Sequence, residues 1–109
     1  MLETVAPGTA DLARLLSVTY NEQLALLLDS YAALPDIELV RFDFFALLNA
    51  MVTTPAEYGL KVVDTPCVTP NQPPFACKKA NQYLFWDGAH PTKAVHAVIA
   101  KAAATTLDQ

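Results

Sequence analysis

Tyr83-Leu84-Phe85-Trp86-Asp87-Gly88-Ala89-His90-Pro91-Thr92 is the stretch from which the fold of this chain is read. A short aromatic run, Tyr83 to Trp86, leads into a turn over Asp87-Gly88-Ala89-His90. Pro91 then suits the first position of a helix, where its missing N–H leaves no bond unmade. Asp87 and His90 stand three apart at that helix entry. A carboxylate beside an imidazole can accept a hydrogen bond from one ring nitrogen, fixing the tautomer and leaving the other nitrogen to take a proton. On spacing alone, the same pattern describes a capping carboxylate next to a partly exposed histidine.

Working outward, Pro91 to about Leu107 reads as a last helix, with Ala94, Val95, Val98, Ile99, Ala102 and Ala103 on its apolar side. His96 shares no face with His90 and is expected on the surface or in packing. Upstream, residues 61–82 hold Pro66, Pro70, Pro73 and Pro74 and read as a loop. A structureless connection of that length is uncommon unless it is functional or tied down. Cys67 and Cys77, ten positions apart within it, could form one local disulfide or remain two thiols, and two cysteines do not fix a redox compartment.

Before the loop, Pro55 to Tyr58 suggests one helical turn closed by Gly59. Asp43 suits the N-cap of a helix from Phe44 to about Val52, with Phe44, Phe45, Leu47 and Leu48 as core. Ile37 to Phe42 alternates as a short strand. Gly8 to Leu34 carries apolar residues at Leu12, Leu16, Tyr20, Leu24, Leu27 or Leu28, Tyr31 and Leu34, the period of a long amphipathic helix ended by Pro35. Gly8 or Thr9 is its N-cap region. A long helix, a turn and a strand make an α/β unit.

The chain has 109 residues, 53% of them hydrophobic, and a mean hydropathy of +0.27. Seven basic against eleven acidic residues give a net charge of −4. This balance lacks the basic footprint of a nucleic-acid binder and the attraction to anionic lipid heads. No apolar run reaches the roughly 18 residues of a membrane span, since Asp29 and Lys101 interrupt the longest candidates. Met1-Leu2-Glu3-Thr4 lacks the basic and apolar regions of a signal peptide. Cys67, Cys77, His90 and His96 have no zinc-ligand spacing, so neither a metal nor another cofactor is expected.

The block Tyr83 to Thr92 resembles the last conserved block of the GDSL, or SGNH, hydrolases, a family of lipases, esterases and acylhydrolases. Val40 to Leu48, Pro55 to Gly59 and Asp64 to Cys67 resemble the segments preceding it in the phospholipase and secreted-esterase branch. The likeness runs from about Gly8 to Leu107. It implies the C-terminal portion of a flavodoxin-like three-layer α/β/α fold, helix-rich with one or two short strands. Residues 1–109 are then one partial hydrolase domain, with the Pro-rich loop at 61–82 and the Asp-x-x-His block at 83–92.

By the same resemblance Asp87 is the orienting carboxylate and His90 the general base of a Ser-His-Asp triad. Phe85 and Trp86 pack under the turn or line a pocket, and the family context favours a Cys67–Cys77 bridge. The implied substrates are acyl esters or lactones. Relatives are often secreted, but the localisation of this chain is left open. The family's serine block and its oxyanion-hole blocks are absent. Ser17 and Ser30, the two serines present, fall inside the long helical pattern, with no preceding strand or glycine to form a nucleophile turn. The chain thus reads either as the acid–base part of a carboxylic ester hydrolase, or as an inactive fragment or interaction module. In the second case the high apolar fraction belongs to a core whose other side is missing, to be covered by a homo-oligomer or a complementary N-terminal half.

Overall fold

The computed structural model describes residues 6–109, so the leader reading of Met1 to Thr4 lies outside the described residues. Two compact units divide at Val40 and Arg41. The first is built on helix α1, Thr9–Ala32. Gly8 precedes it with φ of 82°, a left-handed value that costs glycine little and other residues more. The Thr9 hydroxyl turns back to donate to Ala6 O at 2.6 Å, and Asp11 sits in the first turn, where the helix dipole favours a negative charge.

The helix ends two residues before the expected Leu34, and Leu34 N–H closes a tighter turn on Tyr31 O at 3.0 Å. No residue of α1 is buried: Leu15, Leu16 and Tyr20 each keep 60% or more of their surface accessible. Its apolar period is therefore present without burying any α1 residue.

The strand expected at Ile37 to Phe42 does not form, since residues 37–43 carry no secondary-structure assignment. Alternation of side chains defines a strand face, but a strand exists only through a ladder, and these residues belong to no bridge. The expectation of one or two short strands is corrected to three isolated bridges among the described residues, Val62 with Tyr83, Val68 with Ala76, and Phe85 with Pro91.

The second unit holds helix α2, Phe44–Thr53, and helix α3, Lys93–Leu107. Asp43 caps α2, its carboxylate accepting from Ala46 N–H at 2.9 Å. Phe44 stays exposed, whereas Leu47 and Leu48 turn to the core. A 3₁₀ turn over Pro55–Tyr58 ends at Gly59, whose φ of 73° reverses the chain. Helix α3 starts later than expected. Thr92, not Pro91, adjoins it, because the Thr92 hydroxyl accepts from Val95 N–H at 3.4 Å. Met51 from α2, Leu60, Leu84 and Val95 from α3 form the buried centre, packed round by Leu47, Leu48, Tyr58, Val63, Phe85, Val98 and Ile99.

The Pro-rich segment is more ordered than its composition suggests. Lys61 and Val62 donate to Gln82 O, Leu84 donates to Val62 O, and a 3₁₀ turn spans Ala80–Gln82. A disulfide joins Cys67 to Cys77, and Cys77 N–H donates to Cys67 O at 2.7 Å. Closing such a loop removes freedom from the open chain worth about 2–3 kcal/mol. The bond between Pro73 and Pro74 is cis.

These packing differences predict opposite responses to truncation. Leu84→Ala, at 0% exposure, is expected to cost about 2–5 kcal/mol in urea unfolding. Leu15→Ala on α1 should stay within about 0.5 kcal/mol of the wild type; a comparable loss at both sites would contradict the burial described.

Candidate functional site

Tyr83 to Trp86 is held along both edges. On one side Leu84 N–H donates to Val62 O at 2.9 Å, while Cys67 and Val68 N–H donate to the carbonyls of Phe85 and Trp86 at 3.0 and 2.8 Å. On the other, Trp86 N–H donates to His90 O at 2.8 Å and Thr92 N–H to Leu84 O at 3.0 Å. These last two bonds bracket the Phe85–Pro91 pair. In an antiparallel arrangement such a pair exchanges no bonds of its own, so Pro91 fits there without an unmet donor. The result is a tight reversal whose tip is Asp87-Gly88-Ala89.

At that tip the Asp87 carboxylate gathers the local donors. Its Oδ1 accepts from Ala89 N–H at 2.9 Å and from His90 N–H at 2.6 Å. The imidazole Nδ1 of His90 lies 2.9 Å from Oδ1 and 2.8 Å from Oδ2. The two backbone bonds, followed by the histidine bond and charge, lower the Asp87 pKa from 3.8 to about 2. The carboxylate is therefore ionised at neutral pH, and an ionised carboxylate only accepts. Nδ1 then carries the shared proton in the neutral ring, and Nε2 presents its lone pair. The His90 side chain is 75% exposed, so Nε2 is open to an incoming proton donor.

Phe85 is half-buried against the core, whereas Trp86 is 46% exposed. Alternation along an extended segment separates their faces. Cys67 and Cys77 are linked, as described. His96 is exposed on α3. Ser17 and Ser30 both lie in α1, where their hydroxyls donate to Ala13 O and Leu27 O at 2.8 and 2.6 Å. Thr92 is the residue that sequence reasoning passed over: it is buried, and its hydroxyl also donates to Tyr83 O at 2.8 Å. Its place directly before a helical period was the available signal. Among the described residues no group of three or more His, Cys, Asp or Glu side chains could hold a metal, and no helix is long and apolar enough to cross a membrane.

The lowered pKa fixes the sign of one pH dependence. Asp87 contributes stability fully above its unfolded value and loses it as pH falls through about 2. Urea unfolding between about pH 5 and 2 should therefore show a steeper loss for the wild type than for Asp87→Asn. Identical slopes would show that the carboxylate makes no such bonds.

Residues 7–103 match the family model GDSL-like Lipase/Acylhydrolase. The Anther-specific proline-rich protein APG of Arabidopsis thaliana is 30% identical over 96 residues, which cover 78% of this chain and 18% of that protein. Two proteins named GDSL esterase/lipase from the same plant are each 31% identical, one over 62% of this chain and 21% of its own length, the other over 78% and 25%. The chain thus spans between about a sixth and a quarter of the length of these relatives. With the match covering nearly all of its residues, the chain belongs to the GDSL-like lipase/acylhydrolase family.

Proposed function

We propose that this chain carries the acid–base part of a serine carboxylic ester hydrolase, acting on acyl esters or lactones. The observation that carries the reading is the Asp87–His90 contact, with the carboxylate on Nδ1 at 2.8 Å and the ring otherwise accessible. Family membership supplies the class of reaction. In this reading residues 1–109 are part of one flavodoxin-like α/β/α hydrolase domain, with the 61–82 loop supporting the 83–92 block. The nucleophilic serine and the oxyanion donors come from residues outside these 109.

His90 Nε2 takes the proton of the serine hydroxyl as its oxygen attacks the ester carbonyl. Asp87 stabilises the imidazolium that results. The tetrahedral intermediate collapses, His90 returns the proton to the departing alcohol, and an acyl-enzyme remains. Water, deprotonated by His90, then releases the acid and frees the serine. Ser17 and Ser30 are poor candidates for the attack, since each already donates within its own helix.

A second reading has its own support. The accessible apolar side chains of α1 suit a non-catalytic module that self-associates or docks with a complementary N-terminal half.

Two measurements test these readings. A serine-directed phosphonate should leave the isolated chain unlabelled. A chimaera in which this chain replaces the matching segment of a GDSL esterase/lipase should hydrolyse a short activated ester, and His90→Ala should lower its kcat/KM by roughly 10⁴-fold or more. A chimaera that folds and is equally active with and without His90 would sink the proposal. For the second reading, light scattering at micromolar concentration should show a dimer or larger species, and a monomer would remove it.

A further inference from the structure

The reversal that presents His90 has a return leg, His90 to Thr92, with few ways to hold on to the outgoing leg. The His90 N–H is taken by Asp87 Oδ1. Pro91 has no N–H. The donors remaining on the leg's backbone and on Thr92 are the Thr92 N–H, bonded to Leu84 O at 3.0 Å, and the Thr92 hydroxyl, bonded to Tyr83 O at 2.8 Å. In the opposite direction, Trp86 N–H reaches His90 O. Thr92 is 2% exposed and also sits at the head of α3, accepting from Val95 N–H. One side chain thus joins the start of the aromatic segment, the end of the turn and the beginning of a helix anchored in the core through Val95.

We propose that Thr92 is a positioning residue for the acid–base pair: its hydroxyl locks the return leg against Tyr83 and so sets where His90 stands relative to Asp87. A hydroxyl can donate once and accept as well, and both capacities are used here. Valine keeps the shape but can do neither. It leaves Tyr83 O without this donor and α3 without its cap, and the leg retains a single donor to its neighbour. The turn then has room to slide, and the bonds from Ala89 and His90 to Asp87 lengthen. Serine keeps both bonds and loses a methyl group.

This inference rests on the reading of Asp87 and His90 as the acid–base pair for its consequence in catalysis, but its structural part is measured without any turnover. The ¹³C titration of the Asp87 carboxyl is followed in the wild-type chain, Thr92→Val and Thr92→Ser, each checked for folding by amide dispersion. The wild type should titrate at about 2. Thr92→Val should move the midpoint upward by about one unit, and Thr92→Ser should restore it. A folded Thr92→Val protein that titrates with the wild type overturns the inference, as does a Thr92→Ser protein that shifts as far as Thr92→Val.

If Thr92→Val does not fold in the 109-residue chain, the chimaera carrying it is titrated in its place, with the same two outcomes. In the chimaera kcat should fall roughly tenfold or more with KM unchanged, and recover in Thr92→Ser. An inactive chimaera with the titration shifted as expected would refute the hydrolase reading and leave the positioning role intact.

Discussion

The four residues from Tyr83 to Trp86 are bonded on both edges, and most of the second unit is arranged around them. One edge receives the disulfide-closed segment through Cys67 and Val68, and the other receives the return leg through Thr92 and His90. Leu84 joins the core from this segment, together with Met51 of α2, Leu60 and Val95 of α3. An extended segment bonded on both edges exposes little of its backbone. It can therefore hold a polar turn at its end without that turn loosening the apolar centre behind it.

The chemistry of the turn follows from where that order stops. Past Trp86 the ladder gives way to a side chain: Asp87 takes over the His90 N–H and adds the Ala89 N–H. The same bonds that shape the reversal hold the carboxylate well below its ordinary pKa. An ionised carboxylate in contact with Nδ1 is what an imidazole needs to act as a base through Nε2. Under the proposed reading, local folding and acid–base competence are thus one set of interactions.

Much of this was legible in the residues. The Asp43 cap, the helix after it, the turn closed by Gly59 and the long first helix all follow from local rules about caps, φ angles and periodicity. The Asp87–His90 contact was legible because its partners are three positions apart. What could not be read depends on partners distant in the chain. Ile37 to Phe42 alternates as a strand should, yet no neighbouring segment pairs with it, and alternation does not report a missing neighbour. Conversely, Val62, Val68 and Ala76 lie among prolines and gave no strand signal, yet they bridge to Tyr83 or to each other. Thr92 escaped notice because Pro91 is the stronger helix-start residue by rule, and the bond from Val95 N–H shows which of the two adjoins α3.

The contacts that orient His90 all lie within a few residues of it, from Tyr83 to Thr92. Nothing in that set refers to a nucleophile. A half-site of this kind is self-templating: its geometry is specified before, and independently of, the group it would activate. If the pair serves as proposed, recombination that moves such a stretch between chains would carry a ready-made proton relay with it. The recipient would need to supply only a hydroxyl at the right distance and donors for the developing oxyanion.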